Sequence, residues 1–369
     1  MAASHDIPRA LVTQKIDLLM DNLVHIKDET GEFLLHLEDG RIIDTKGWAG
    51  WEWTHGVGLF GMWRYFEQTN DPKALGIIKG WFADRFAEGT PTKNINTMAP
   101  FITLAWLYEH EPDPSYLPYL DTWAEWLMAP DGLPKTEEGG FQHIVYNDEN
   151  PGELWDDTLM MSVLPLAKIG LLLNRPHYVE EAKRQFLVHI KYLFDKKTGL
   201  WFHGWDFTGR HNFAEALWAR GNCWVTIAIP EIIEILDLPE GDAFRTFLID
   251  TLAAQVKTLA ETQDESGLWH TLVVDPTSYL EASATAGFAY GILKAVRKGY
   301  LPRSYEAVGL KAVRGVLDNI DDKGELQQVS FGTAMGDTLQ FYKDIRLTSM
   351  PYGQSLAICA LGELLRTYI

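Results

Sequence analysis

The sequence predicts an all-α protein, an (α/α)6 barrel with short β segments in the loops at one end. Three observations predict this fold. Helical patterns come in pairs along the 369 residues and add up to about twelve helices. The first helix of a pair is apolar nearly all round, whereas the second carries charges on one face. Short segments that open on a glycine recur between the pairs, at Gly139, Gly199, Gly267 and Gly324.

Each pair supplies one buried inner helix and one exposed outer helix. A front helix, ALVTQKIDLLMDNLVHI, precedes the pairs, and PYGQSLAICALGELLRTYI closes the chain. Between them, in chain order, the pairs are VGLFGMWRYFEQT with PKALGIIKGWFADRFAEG, APFITLAWLYEH with SYLPYLDTWAEWLMAP, WDDTLMMSVLPLAKIGLLL with YVEEAKRQFLVHIKYLFD, ALWARGNCWVTIAIPEIIEIL with AFRTFLIDTLAAQVKTLAET, and ASATAGFAYGILKAVRKGY with YEAVGLKAVRGVLDNI.

The glycine segments show strand-like alternation and stand before the apolar helices. They are GEFLLHLEDG, GGFQHIVYND, GLWFHGWD, GLWHTLVVD and GELQQVSFGT. Loops that lead into inner helices are therefore expected to gather at one end and form a funnel. No proline- or serine-rich linker interrupts the pattern, so residues 1–369 are expected to form a single catalytic domain.

The charge balance excludes several classes of partner. The chain carries 32 basic and 51 acidic residues, a formal net charge of −19. Such a field repels phosphate backbones and anionic lipids, so neither nucleic acid nor membrane is an expected partner. Cys223 and Cys359 are the two cysteines, which excludes a disulfide framework and suits a reducing compartment. With neither a signal-peptide pattern nor a membrane-spanning stretch, a cytoplasmic protein is expected. The oligomeric state is left open.

No motif calls for a cofactor or a metal. GVGLFG at Gly56 matches G-x-G-x-x-G, but a helical pattern surrounds it and the required strand does not precede it. Small residues that let inner helices pack closely explain it better. The chain contains neither H-E-x-x-H nor a phosphate-binding loop, and its histidines are scattered. G-x-S-x-G is missing as well, which argues against a serine hydrolase.

Acidic and aromatic residues cluster at the predicted mouths of the inner helices. Flat aromatic rings there suit packing against sugars. Each residue alone is more often structural, and the combination is what points to a ligand. The cluster consists of Trp53, His55, Trp155, Asp157, His203, Trp205, Asp206, Trp218, Arg220 and Trp224.

Three motifs, LWDDTLMM, GLWFHGWD and LWARGNCW in that order, resemble glycoside hydrolase family 105, the unsaturated rhamnogalacturonyl hydrolases. The resemblance covers nearly the whole chain. It implies a metal-free (α/α)6 barrel that removes a 4,5-unsaturated uronic acid from the non-reducing end of lyase-generated disaccharides, here unsaturated rhamnogalacturonan (pectin) fragments. An acid protonates the C4=C5 enol ether, water adds at C5, and the hemiketal collapses. This route differs from ordinary glycoside hydrolysis by paired carboxylates.

By motif, Asp157 matches the family's general acid/base, and Asp156 is assigned to capping the helix. Asn96 stands where the family has a second acidic residue, which puts a two-carboxylate mechanism in doubt. Gln142 is a further possible lining residue. The resemblance and the cluster together predict the substrate-binding residues Trp53, His55, Asn96, His143, Trp155, His203, Trp205, Trp218, Arg220 and Trp224.

Burial in the funnel, with Asp206 nearby, is expected to raise the pKa of Asp157. His203, His55 or Arg220 is expected to offset the negative charge of the substrate. Two alternatives stay open: a sugar epimerase or isomerase on the same barrel, which would use two histidines, and an inactive carbohydrate-binding relative.

Overall fold

A computed structural model describes residues 6–368. Six helices in this range form a closed inner ring, because each contacts the next and the last contacts the first. They are α2 (Trp53–Thr69), α4 (Phe101–His110), α6 (Leu164–Leu172), α8 (Ala219–Ile235), α10 (Ala282–Arg297) and α13 (Pro351–Leu365).

An outer layer of helices surrounds this ring, and each of its members packs against an inner helix. The outer helices are α1 (Arg9–His25), α3 (Pro72–Glu88), α5 (Leu117–Met128), α7 (Pro176–Leu193), α9 (Ala243–Thr262) and α11 (Glu306–Asp318). The predicted (α/α)6 barrel is therefore confirmed. A further short helix, α12 (Leu339–Lys343), lies in the loop before α13.

Burial separates the two layers as the sequence pattern predicts. Every residue of α13 is buried, and so is every residue of α8 from Ala219 to Ile233. The outer α7 buries one face and exposes Glu180, Arg184 and Lys191 on the other. None of the helices in the described part of the chain combines the length and the apolar character that a membrane crossing requires.

Three short antiparallel strand pairs lie in the loops: β1 (Leu34–His36) with β2 (Ile42–Asp44), β3 (Glu153–Trp155) with β4 (Gly204–Asp206), and β5 (Trp269–His270) with β6 (Leu280–Glu281). The second pair positions the site. Trp155 lies opposite Gly204, and the Asp156 N–H donates to the His203 carbonyl at 3.0 Å. The motifs LWDDTLMM and GLWFHGWD therefore meet in space.

The recurring glycine has a structural cause. All five glycines that open the repeated segments have a positive φ, which side chains other than glycine rarely adopt. At Gly199 (φ 77°) an added Cβ would also lie 2.5 Å from the carbonyl oxygen of Ala254 in α9. Gly267 and Gly324 approach carbonyls of α11 and α1 in the same way. These three turns thus pack closely against outer helices.

We expect Gly199→Ala to destabilise the protein by about 2 to 4 kcal/mol. Left-handed backbone strain costs about 1 to 2 kcal/mol, and forcing a methyl group into packed backbone costs about 1 to 3. The midpoint of urea unfolding measures the loss, and an unchanged midpoint would contradict this account. Gly76→Ala in α3 is the control, because no atom lies within 4 Å of its added Cβ and alanine favours helix.

Candidate active site

The loops at one end of the barrel enclose a cavity of about 300 Å³. This is within the size range of small-molecule sites. Seven of the eleven residues predicted from the sequence line it: Trp53, Asn96, His143, Trp155, Asp157, Trp218 and Arg220. The other four, His55, His203, Trp205 and Trp224, are not part of its lining.

The adjacent aspartates lie just before the π-helical segment Leu159–Val163 that leads into α6, and they occupy different environments. Asp157 lines the cavity, whereas Asp156 is fully enclosed. A Cβ on Gly221 would come within 2.5 Å of an Asp156 carboxyl oxygen, so this glycine makes room for the acid. Neither Asp156 oxygen forms a well-oriented hydrogen bond. The helix-capping role predicted for Asp156 is therefore not what the structure shows.

The pKa values of the two carboxyl groups also shift in opposite directions. Burial, followed by the negative charge of Asp157, holds the pKa of Asp156 well above its ordinary value. Burial alone would raise the pKa of Asp157 too, but His203 outweighs it and lowers that pKa. The Nε2 atom of His203 lies 3.4 Å from Oδ2 of Asp157. Within the pair, the proton therefore favours Asp156 and the negative charge favours Asp157. The expected rise in the pKa of Asp157 is wrong.

Asp206 does not act on Asp157 as expected. Its carboxylate accepts hydrogen bonds from the N–H groups of Thr208 and Gly209, at 2.8 and 2.9 Å, in the turn after β4. Asp206 is therefore engaged in its own loop, and Asp156 is the neighbouring acid that interacts with Asp157.

His203 lies behind Asp157 rather than in the cavity wall and is only 2% exposed. Its Nδ1 atom is 2.8 Å from the hydroxyl of Tyr342 in α12, and its ring centroid is 4.4 Å from that of Trp218. These contacts orient Nε2 towards Asp157. His203 is thus placed to hold the catalytic candidate in its ionised form.

His143 forms part of the wall and remains uncharged. Its ring stacks on Trp155 with centroids 4.2 Å apart, and Nδ1 lies 2.9 Å from Oγ1 of Thr158. Burial lowers the pKa of His143 to about 3. It therefore offers a flat apolar surface and a neutral imidazole to a ligand.

Arg220 is 1% exposed and is held by three hydrogen bonds. Nη1 donates to the carbonyl and the hydroxyl of Ser330, and Nη2 donates to the carbonyl of Phe331 at 3.0 Å. Glu281 lies 3.8 Å away as its acidic neighbour. Two of the five N–H donors of the guanidinium group are not used in these hydrogen bonds, and Arg220 lines the cavity.

The aromatic residues divide into those that face the cavity and those that support it. Trp53 stacks on Tyr352 at 4.6 Å between centroids, and the buried Trp224 packs edge-on against Trp53. Trp205 packs outside the cavity, with its ring 5.3 Å from that of Tyr192. Trp53 is therefore a candidate sugar platform, whereas Trp224 braces it from behind.

His55 points away from the cavity. Its Nε2 contacts the Gly47 carbonyl at 2.8 Å, and its Nδ1 accepts from the N–H of Glu52 at 3.1 Å. Burial lowers the pKa of His55 to about 4. His55 therefore stabilises the start of α2 and supplies no positive charge to a ligand.

Sequence reasoning missed several lining residues, among them Glu52, Tyr146, Asn150 and Tyr352. Glu52 directly precedes Trp53 in GWEWTHG, so its position next to a predicted sugar-binding residue could have indicated that it lines the cavity. Tyr146 and Asn150 belong to a loop with no regular pattern. Tyr352 reaches the site only because α13 closes the ring beside α2.

One group in the described part of the chain could offer three ligand atoms to a metal ion. The acids Asp156 and Asp157 and the imidazole of His203 lie within 4.8 Å of one another. The raised pKa of Asp156 makes it a poor ligand, because a metal needs the carboxylate. Prolonged chelation is therefore expected to leave turnover unchanged. A loss that added divalent cation restores would contradict this.

A second cavity, of about 670 Å³, lies at the opposite end of the barrel and has a different character. It is lined by ion pairs between the inner helices, including Arg64 with Glu234 and Lys294 with Glu234. These charges already have partners. The cavity at the funnel end holds the acidic and aromatic side chains and is the candidate active site.

Comparison with known proteins supports this assignment. The model of Glycosyl Hydrolase Family 88 matches residues 25–368. The chain is 32% identical to the unsaturated rhamnogalacturonyl hydrolase YesR of Bacillus subtilis, over 86% of the chain and 90% of that protein. It is 62% identical to a possible GH105 member from Salmonella enterica, over 100% and 97% of the two chains, with a TM-score of 0.98. The unsaturated glucuronyl hydrolase of Bacillus sp. GL1 shares the fold at 16% identity and a TM-score of 0.71, over 96% of each chain.

Proposed function

The chain belongs to glycosyl hydrolase family 88, and on this premise we propose that it removes a 4,5-unsaturated uronic acid from the non-reducing end of lyase-generated disaccharides. The proposed substrates are unsaturated rhamnogalacturonan (pectin) fragments, by analogy with the B. subtilis relative. Cys223 and Cys359 are free buried thiols, which suits the cytoplasmic location included in the proposal.

The observation that carries the proposal is an ionised carboxylate in a small aromatic cavity. Asp157 lines the cavity, and His203 keeps its pKa low. A carboxylate there can take a proton from the water that attacks C5. Trp53 and Trp155 offer flat faces for the sugar rings. Asp157 is accordingly the proposed general acid/base.

Arg220 is the proposed binding partner of the uronate carboxylate. Among the described residues that line the cavity, Arg220 is the only lysine or arginine. Two of its N–H donors are not used in hydrogen bonds to the protein. A charge-assisted hydrogen bond from arginine suits a carboxylate in a low-dielectric pocket. This contact would offset locally the repulsion from a protein with a net charge of −19.

The electrostatics favour a hydrolase over the epimerase alternative. An epimerase of the kind considered would pass a proton between two histidines beside a carbonyl. Among the described residues that line the cavity, His143 is the only histidine. Its pKa of about 3 makes it too weak a base near neutral pH. An inactive carbohydrate-binding relative is disfavoured by the intact, ionised Asp157.

Ultraviolet absorbance tests the proposal directly. The protein is mixed with lyase-generated disaccharides that carry a 4,5-unsaturated uronic acid, and the absorbance of the conjugated C4=C5 bond is followed. Hydrolysis removes this chromophore and releases the second sugar in equal amount. An epimerase or a binding protein would leave the absorbance unchanged. A panel that varies the second sugar among rhamnose, another deoxysugar and a hexosamine would establish the preferred substrate.

A further inference from the structure

Tyr342 places a buried hydroxyl group behind the residues that line the cavity. Of the five described residues of α12, Tyr342 is the one that is buried, and it is fully enclosed. The apolar side chains of Leu339 and Phe341 in the same helix are 45% and 39% exposed. A short helix that exposes its apolar side chains and buries a tyrosine reverses the usual pattern, which indicates a specific role for the hydroxyl.

The hydroxyl group of Tyr342 has three polar neighbours. Its oxygen accepts the N–H of Gly336 at 3.1 Å. Nδ1 of His203 lies 2.8 Å from this oxygen, and the sulfur atom of Met335 lies 3.6 Å from it. Burial raises the pKa of Tyr342 above its ordinary value, so the hydroxyl keeps its proton. The hydroxyl has one hydrogen to donate, and of these neighbours His203 and Met335 can accept it.

The imidazole nitrogen is the better acceptor for this hydrogen. A thioether sulfur accepts hydrogen bonds weakly, whereas the 2.8 Å between the hydroxyl and Nδ1 of His203 suits a well-formed hydrogen bond. The hydroxyl of Tyr342 therefore donates to Nδ1, which must then present a lone pair. In the uncharged ring, the hydrogen is consequently on Nε2.

The opposite side of the ring favours the same tautomer. Nε2 of His203 lies 3.4 Å from Oδ2 of Asp157. With the hydrogen on Nε2, the ring presents a donor to the carboxylate, whereas the other tautomer would present a lone pair to a negatively charged oxygen. The ring is also held between Trp155 and Trp218, with centroid distances of 5.2 and 4.4 Å. The two nitrogen atoms thus have fixed and different partners.

We propose that Tyr342 is a positioning residue that fixes the tautomer of His203 and so keeps an N–H group facing Asp157. This inference rests on the proposed function. Whenever Asp157 is ionised in its role as general acid/base, a donor already oriented towards it stabilises the negative charge. Tyr342 does not line the cavity, so it acts on the reaction through His203.

NMR of the histidine ring nitrogens tests the tautomer without a substrate. Long-range proton–nitrogen correlations distinguish the ring nitrogen that carries hydrogen from the one that does not. The signals of His203 are identified by their absence from the spectrum of His203→Ala. In the wild type near neutral pH, we expect hydrogen on Nε2 and a lone pair on Nδ1. Hydrogen on Nδ1, alone or together with hydrogen on Nε2, would overturn the proposal.

A double-mutant cycle tests whether Tyr342 acts through His203 during turnover. Tyr342→Phe removes the hydroxyl and keeps the ring. We expect it to lower kcat by about tenfold, the scale of one buried hydrogen bond, with a smaller change in KM. In the His203→Ala background, the same substitution should change kcat by less than about twofold, because no imidazole remains to be oriented. An equal loss in both backgrounds would overturn the proposal, since Tyr342 would then act by holding Gly336 and its loop.

Tyr279→Phe is the matched control, because it removes a hydroxyl that holds the same helix. The Tyr279 hydroxyl donates to the backbone carbonyl of Tyr342 at 3.2 Å, and Tyr279 does not line the cavity. This variant should keep kcat close to the wild-type value and leave the tautomer of His203 unchanged. A loss of kcat as large as that of Tyr342→Phe would mean that the position of α12, rather than the hydroxyl of Tyr342, matters, and would overturn the proposal.

The outcomes separate this inference from the proposed function. If the wild type does not consume the unsaturated disaccharide, the proposed function fails, and the NMR measurement still tests the tautomer. If the wild type is active and Tyr342→Phe keeps kcat within about twofold, the hydroxyl does not position His203 for the reaction. Melting temperatures of all variants accompany the assay. Should Tyr342→Phe fail to fold, the wild-type spectrum decides: hydrogen on Nε2 alone supports the proposal, and hydrogen on Nδ1 overturns it.

Discussion

Asp157→Asn is expected to lower kcat by on the order of a hundredfold or more while the protein stays folded. Asparagine has nearly the same shape as aspartate, but it cannot take the proton of the attacking water. Steady-state rates on an unsaturated disaccharide, with circular dichroism to check the fold, measure the effect. Near-normal turnover would rule out Asp157 as the general acid/base.

Asp156→Asn is the matched control for this prediction. Asp156 is fully enclosed and its pKa is raised, so it favours the neutral form. Asparagine is uncharged and has nearly the same shape, so the loss should be far smaller than for Asp157→Asn. Equal losses in the two variants would mean that the pair acts as one unit, and the separate roles assigned here would be wrong.

Arg220→Ala is expected to lower kcat/KM by about one to two powers of ten, because a charge-assisted hydrogen bond contributes roughly 1.5 to 3 kcal/mol. It should also destabilise the protein by about 3 to 5 kcal/mol, since Glu281 would become an unpaired buried charge. If the contact with the uronate is equally strong in the ground and transition states, the kinetic loss falls mainly on KM. Both the melting temperature and the kinetics are measured on the same variant.

A double variant separates the two effects. Arg220→Ala with Glu281→Gln removes the unpaired carboxylate, so part of the lost stability should return. The kinetic loss should remain, because the ligand still lacks its cationic partner. Recovery of kcat/KM together with stability would show that Arg220 acts only by holding Ser330 and Phe331 in place.

His203→Ala tests how the charge on Asp157 is maintained. His203 lowers the pKa of Asp157 against the effect of burial, so its removal should raise that pKa. The acidic limb of the rate profile should then move to higher pH, because a larger fraction of Asp157 is protonated and inactive as a base. A fall mainly in kcat is expected, and an unmoved acidic limb would contradict this role.

The alternation of apolar and amphipathic helices determined the fold, because an inner helix must be apolar on all sides and an outer helix on one face. The repeated glycines were equally predictable from the sequence, because residues other than glycine rarely adopt the positive φ found at Gly199 and its counterparts. The three motifs identified the family and contain the lining residues Trp155, Asp157, Trp218 and Arg220. Local sequence was sufficient for these features, because each depends on helix burial, on backbone conformation or on a contiguous motif.

Tertiary structure alone decided which polar groups face the cavity and which of them carry charge. His55 and Glu52 lie three residues apart at the start of α2, yet the histidine turns to the Gly47 carbonyl and the glutamate lines the cavity. The pKa values of the adjacent Asp156 and Asp157 shift in opposite directions because His203, brought in by the pairing of β3 with β4, contacts only Asp157. Burial and distant partners set these pKa values, and neither can be read from the residues next to them in the chain.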